Sequence, residues 1–252
     1  MASIFADQDR IMKKIVLVFI TLLIIPVAFS QKTKQKKDFR KVLSRPGDHI
    51  MLQLSSDHWQ GAPDSISSRI KGLSRGANIY VMVDKPFKSN PRFSVAFGIG
   101  VGTSSIFLDK ETVGLTAATS YLPFNKVDTV YHFKKYKLAT SFLEVPVELR
   151  FSSDPENDGK SIKGALGIKV GTLLNVHTKG KTLLNSAGTT VNSYTEKVNS
   201  KHFFNSTRLM ATARIGYGHY SLFGNLQLNG IFNTGVAADT RLLQIGLCIS
   251  GL

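Results

Sequence analysis

Eight times along this chain, apolar residues recur at every second position while small, polar or charged residues fill the gaps. The sharpest case is Ser141 to Phe151. There Leu143, Val145, Val147, Leu149 and Phe151 alternate with Glu144, Glu148 and Arg150. Successive side chains of a strand point to opposite faces, so this spacing gives one apolar and one charged face. Pro146 falls on the charged face and lacks a ladder donor, which predicts a bulge there. The pattern also covers Ile50–Leu54, Ala77–Asp84, Phe93–Gly102, Ile162–Asn175, Arg208–Tyr217, Tyr220–Phe232 and Leu243–Ser250. In the Ile162 segment, Lys163, Lys169 and Asn175 share the polar face. No segment of useful length repeats at i, i+3, i+4 and i+7, so helices are not the main element.

Eight alternating antiparallel strands can close in two ways. A soluble barrel turns its apolar face inward; an outer-membrane barrel turns it toward lipid and keeps a polar lumen. The polar faces here carry glycine, alanine, serine and asparagine as often as charges. Such residues suit the narrow interior of an eight-stranded barrel better than a solvated exterior. Charged residues at 19% also fall below the ~25% of an ordinary soluble domain. Link lengths agree. Ser55–Arg75, Thr103–Thr140 and Thr178–Lys201 are long, and Asn233–Thr240 is shorter. Lys85–Arg92, Ser152–Lys160 and Gly218-His219 are tight, with turn dipeptides at Asp154-Pro155 and Asp158-Gly159. The expected fold is all-β: an eight-stranded antiparallel up-and-down transmembrane β-barrel, OmpA/OmpX-like in size. A soluble periplasmic ligand-binding barrel is the alternative.

The N-terminus has another character. Lys13-Lys14 precede an apolar run from Ile15 to Phe29 that ends Ala28-Phe29-Ser30, the pattern of a secretory signal peptide. Residues 1–30 are therefore expected to be a signal peptide with Met12 as the natural start. Residues 31–47 are expected to be a basic flexible leader, and residues 48–252 the barrel. Export leaves the single Cys248 without an intramolecular partner; within Leu247-Cys248-Ile249 it reads as a packing residue. The net charge of +15 is concentrated outside the expected strands. The leader carries +6, and the three long links carry +1, +2 and +3.

The signal peptide ending before Gln31, the phrase Leu143-Glu144-Val145-Pro146-Val147-Glu148-Leu149 and the glycine-alternating Phe97–Gly102 resemble the small outer-membrane β-barrel proteins of Bacteroidetes, often labelled PorT-like. The resemblance covers nearly the whole mature chain. It implies an outer-membrane location, and one member of that family is associated with a protein-secretion apparatus.

Glu144, Glu148, Arg150, Lys163, Lys169, Arg208 and Arg214 fall on the polar faces of neighbouring segments. In a lumen sealed from water, charges must be paired and hydrogen-bonded, so these residues are expected to form a structural ion network. A carboxylate pair for glycoside hydrolysis would need a cleft that a filled barrel lacks. Gly98, Gly100 and Gly102 lack the Lys-Ser/Thr and the helix of a phosphate loop; they leave room for large neighbours such as Tyr80 or the arginines. Asp154, Glu156, Asp158 and Gly159 open like a calcium loop, but the twelfth position is Ala165. The six histidines share no metal-ligand spacing, His-Glu-x-x-His does not occur, and the Gly-x-Ser-x-Gly spacing of Gly72, Ser74 and Gly76 leads into the alternating Ala77–Asp84 segment rather than the helix of a nucleophile elbow. Trp59, Tyr80, Phe93, Tyr136, Phe142, Phe151, Phe203, Phe204, Tyr217, Tyr220 and Phe232 are expected to form interfacial girdles.

The sequence thus predicts a monomeric, non-enzymatic barrel with no catalytic residues, cofactor or metal. Its role would be structural or interactive, exerted through external loops. Outer-membrane lipid, lipopolysaccharide phosphates or an envelope protein are the expected partners, and nucleic acid is not. A component of a secretion apparatus and a small passive pore are the alternatives.

Overall fold

The computed structural model describes residues 50–72, 74–127 and 131–251. The expected signal peptide and leader lie outside the described residues. The strands are β1 (Ile50–Gln60), β2 (Arg75–Pro86), β3 (Phe93–Leu108), β4 (Glu111–Val113), β5 (Phe124–Lys126), β6 (Tyr131–Ser152), β7 (Ile162–Asn185), β8 (Thr190–Asn199), β9 (Thr207–Tyr217), β10 (Tyr220–Gln227) and β11 (Arg241–Ser250). Eight of them close a ring in the order β1, β2, β3, β6, β7, β9, β10, β11 and back to β1. All neighbours are antiparallel, and the seam closes through β6 and β7, from Tyr131↔Asn185 to Ser152↔Lys163. β4 and β5 form a small separate hairpin, and β8 extends β7 beyond the point where β9 leaves it.

Seven of the eight predicted segments lie within a wall strand, and the eighth, Tyr220–Phe232, overruns β10, which ends at Gln227. Their burial is inverted relative to a water-soluble domain. Leu54, Leu166 and Ile215 are 65–66% exposed, whereas Glu144, Glu148, Lys169 and Arg208 are 1% exposed. Apolar side chains form an outward belt and the polar parity points in. The tight links share one end: β2–β3, β6–β7, and the two-residue turn of Gly218 (φ +57°) and His219 that pairs Tyr217 with Tyr220. The long links gather at the other end.

Three expectations change. Pro146 does not bulge: it stays in register opposite Lys169, and β6 keeps one register with β3 on either side of it. The irregularity lies instead in β7, between the pairs Ser141↔Asn175 and Phe142↔Leu173, where Leu174 is the extra residue. One added residue reverses parity. Asn175, expected to face inward with Lys169, therefore shares the outward face with His177, its hydrogen-bond neighbour at 3.1 Å. Third, two of the long links are largely strand. β6 begins at Tyr131 and β7 runs to Asn185, so both stand well past the apolar belt.

Candidate functional site

The barrel interior is stratified. At its middle, Glu144 of β6 accepts hydrogen bonds from Arg208 of β9 and, at 2.5 Å, from the Tyr80 hydroxyl of β2. Lys169 of β7 donates to Gln53 of β1 (3.0 Å) and to the Tyr80 oxygen (3.2 Å), with its ammonium 4.7 Å from the centre of that ring. Asn78 donates to Gln53 and Gln244, and Asn225 also donates to Gln244. Gln244 in turn donates to Asp57, which Ser55 also serves at 2.5 Å. Seven of the eight wall strands thus supply a side chain to one connected network.

The eighth strand, β3, supplies space. A Cβ at Gly102 would lie 2.6 Å from Glu144 Oε2 and 2.8 Å from Arg208 Nη2, and one at Gly100 would strike the Tyr80 ring and the Ile79 carbonyl. These glycines face the bulkiest lumen side chains, because the pore is too narrow for every strand to contribute one at that height.

Toward the tight-turn end, Glu148 accepts from Arg150 Nε (3.0 Å) and Arg214 Nη2 (2.9 Å), while Arg150 Nη1 lies 4.0 Å from Asp84. Arg214 Nη1 also approaches Cys248 Sγ at 3.7 Å; the thiol is buried with Met51, Tyr80, Met82, Ala96 and Phe223. Across the two layers, Asp57, Asp84, Glu144 and Glu148 face Lys169, Arg150, Arg208 and Arg214, four charges of each sign. Lys163 takes the same parity in β7, nearer the turn and half-buried. Within the two layers the opposite charges offset one another by pairing.

Toward the long-loop end the lumen turns apolar. Ile106, Leu108, Val113, Leu115, Leu122, Tyr136, Leu138, Phe142, Leu173, Val176, Phe203, Phe204, Met210, Ile231, Phe232 and Leu242 form one buried cluster drawn from strand tips and loops. The rings pack edge to face: Phe232 lies 5.1 Å from Phe204, 5.7 Å from Trp59 and 6.3 Å from Phe124. The Arg208 guanidinium stacks 4.1 Å over Phe142 and joins this stopper to the charged layer. A cavity of about 10 Å3 lies between them, lined by Trp59, Phe142, Arg208, Gln227 and Leu242 among others, the room of a single water.

This corrects the expected girdles. Phe93, Phe151, Tyr217 and Tyr220 do face outward at the tight-turn end, with Phe93 and Phe151 5.2 Å apart. Tyr80, Tyr136, Phe142, Phe203, Phe204 and Phe232 are buried, and Trp59 packs against the stopper. Parity held the signal for three of them: Tyr80, Trp59 and Phe142 alternate with the apolar face and so point inward. The sequence reading also missed Asp57 and Gln53 as network members. β1 runs six residues past Leu54 with Ser56 and His58 outward, so it looks like a polar loop. Asp154 and Glu156 lie in the β6–β7 turn, where the Glu156 N–H donates to Asp154 Oδ1 at 3.1 Å. Among the described residues no three His, Cys, Asp or Glu side chains gather as a metal site would require.

A closed antiparallel ring with an apolar exterior and buried interior charges agrees with the comparison to known families. The model of the outer membrane protein beta-barrel domain matches residues 49–237. The chain belongs to that family. Among solved structures, it is similar to the translocator domain of autotransporter NalP from Neisseria meningitidis, at 12% identity over 84% of this chain and 91% of that one. Their TM-score of 0.19 is too low to carry a structural inference. No curated protein matches.

Proposed function

We propose that this family member is an integral outer-membrane barrel with a sealed, polar-filled lumen, acting without catalysis as a structural or interaction element through its external end. The observation that carries this reading is the serial filling of the interior: a charge-balanced network spanning seven strands, capped by an apolar stopper, with room for about one water between. A passive pore needs a continuous wet path, and an enzyme needs a cleft; neither fits that filling. The finer kinship, with PorT-like barrels of Bacteroidetes, is part of the proposal and rests on the Leu143–Leu149 phrase, the glycine-alternating Phe97–Gly102 and the signal-peptide pattern of the N-terminus. It leaves a place beside a secretion apparatus as the role to test by deletion. The deciding experiment is envelope fractionation with heat-dependent migration on a denaturing gel. The folded barrel is expected in the outer membrane, resistant to carbonate and shifted only after boiling. A carbonate-soluble, unshifted product would overturn the reading.

A further inference from the structure

Above the apolar belt, the outward face of the barrel carries a row of like charges. Lys137 of β6 pairs directly with Lys179 of β7, and Lys179 pairs with Lys197 of β8. Three ammonium groups therefore stand side by side across three adjacent strands. Like charges directly opposite in a sheet are destabilising, and sequences ordinarily alternate their signs. Here no Asp or Glu occupies the same face: Glu196 pairs with Gly180 and takes the opposite parity from Lys197. Lys135 and Lys181 form a second basic pair one row further out. On the near side, Phe107 of β3 stands opposite Lys137, and its ring lies 5.8 Å from that ammonium and 5.4 Å from the Arg75 guanidinium of β2. His177 takes the next outward position of β7 below Lys179. Lys137 is held by Ser105 Oγ at 3.1 Å. Among the described residues, no ion pair to Lys137, Lys179 or Lys197 occurs.

Position decides what this row can meet. β6 keeps one parity from Phe151 to Lys137, so Lys137 points the same way as Val145, Val147 and Leu149, sideways from the wall. Fourteen residues of a strand tilted by about 40° rise roughly 35 Å, against an apolar band roughly 25 Å tall. The row therefore sits about 10 Å beyond the belt, at headgroup depth. A loop tip would meet water; this row meets whatever fringes the hydrocarbon.

We propose that Arg75, Lys137, Lys179 and Lys197 form a lateral binding site for the phosphate groups of outer-leaflet lipid. The assignment rests on the outer-membrane reading above. The wall supplies a fixed basic surface from β2 to β8, and the lipid's acyl chains lie against the apolar belt beneath it, so one molecule satisfies both surfaces. A phosphate between two ammonium groups converts their repulsion into two attractions. A basic residue at an anionic surface is worth on the order of fivefold in affinity, so the three lysines together account for roughly a hundredfold.

The full chain, reconstituted in phosphatidylcholine vesicles, is titrated with bisphosphorylated lipid A and, separately, with the same lipid after enzymatic dephosphorylation. Binding is read as the rise in the heat-modifiability midpoint. The phosphorylated lipid is expected to bind at least tenfold more tightly. The triple variant K137Q/K179Q/K197Q is expected to lose that preference, while a control triple at the tight-turn end, K85Q/K88Q/K160Q, keeps it. If the triple variant does not fold, Lys179→Gln and Lys179→Arg replace it; the first should weaken binding about fivefold and the second preserve it. Equal binding of both lipids, or an unchanged triple variant, overturns the proposal and leaves the row to an acidic protein surface. Full protection by inorganic pyrophosphate at equal concentration also overturns it, in favour of a free phosphate ligand. Failure to insert into vesicles of any composition would instead refute the outer-membrane reading.

Discussion

Gly100 and Gly102 show how single residues set what the lumen can hold. Both clear space for one cluster, but what surrounds each differs. At 100 an added methyl meets the Ile79 backbone and the Tyr80 ring, which cannot yield; at 102 it meets the ends of Glu144 and Arg208, which can shift. Gly224 faces outward with nothing within 4 Å of such a methyl. Alanine at 100 is therefore expected to cost about 1–3 kcal/mol and alanine at 102 less. At 224 it should be neutral or stabilising by up to ~1 kcal/mol, because only the unfolded chain loses freedom. Urea midpoints of the three refolded variants check the ranking; equal costs would refute it. The period-two glycines were legible in the sequence as spacers. What they spaced was not, because Tyr80 and Arg208 meet only after the ring closes.

The basic row makes its own residue-scale forecast. Partial burial first, then the charges of Lys197, Lys137 and Lys179, hold the His177 imidazole below its ordinary pKa of 6.5. Asn175 is its hydrogen-bond neighbour, and no carboxylate lies on that face to reverse the direction. A base whose folded pKa is depressed binds fewer protons folded than unfolded, so its contribution is complete above the unfolded value. It is lost as pH falls from about 6.5 through the folded pKa. Lys137 is depressed in the same sense, by burial and then by Lys179 and Arg75, so its cost already stands at neutral pH. In phosphate-free detergent the midpoint should drop between pH 7.5 and pH 5. His177→Asn should flatten that drop, and Lys179→Thr should raise the midpoint at both pH values. An unchanged slope in His177→Asn would remove His177 from this account.

At the scale of the element, alternation predicted the eight strands but not their ends. The reason is physical. The apolar-outward pattern is required only where a strand crosses the belt. Beyond it the same strands continue with Lys135, Lys137, Lys179 and Lys181 outward, and a hydrophobic criterion reads them as loop. β8 escaped for the same cause, being exposed almost throughout. The bulge at Leu174 was hidden because Leu173-Leu174 fits either parity. Its position decides which face the upper half of β7 presents: Val176 and Thr178 in, His177 and Lys179 out. Deleting Leu174 removes the extra residue and leaves strict alternation from Leu173 through Asn175, with Val176 still in the stopper and Lys179 still outward. That variant should therefore refold with a heat-modifiable band. Leu174→Ala keeps the residue count, removes only an outward side chain and should refold normally. A deletion variant that fails to refold while Leu174→Ala refolds would show that the bulge does more than accommodate one extra residue.

The barrel combines a basic outward face with paired charges inside. The charge of +15 overstates what the barrel encloses, because the two charged layers set four acids against four bases, with Lys163 beyond them toward the turns, while most of the surplus lies in the leader and the links. The two internal layers fail differently. Removing one member of the buried pair, as in Glu144→Ala, strands Arg208 and costs about 3–5 kcal/mol. Removing a stopper ring, as in Phe232→Ala, costs a similar 3–5 kcal/mol by cavity formation. Neither alone opens a wet path, since the stopper still dewets the outer end in the first case and the paired charges still fill the middle in the second. Two seals in series predict a non-additive result in planar bilayers. The parent and both single variants should be silent, and only Glu144→Ala combined with Phe232→Ala and Phe204→Ala should pass small ions. Conductance from the stopper variant alone would mean that the charged layer leaks and that the stopper is the sole gate. Silence from the combined variant, shown folded by its heat shift, would mean that the serine-rich turn end around Ser94, Ser152, Ser161, Ser221 and Ser250 forms a third seal.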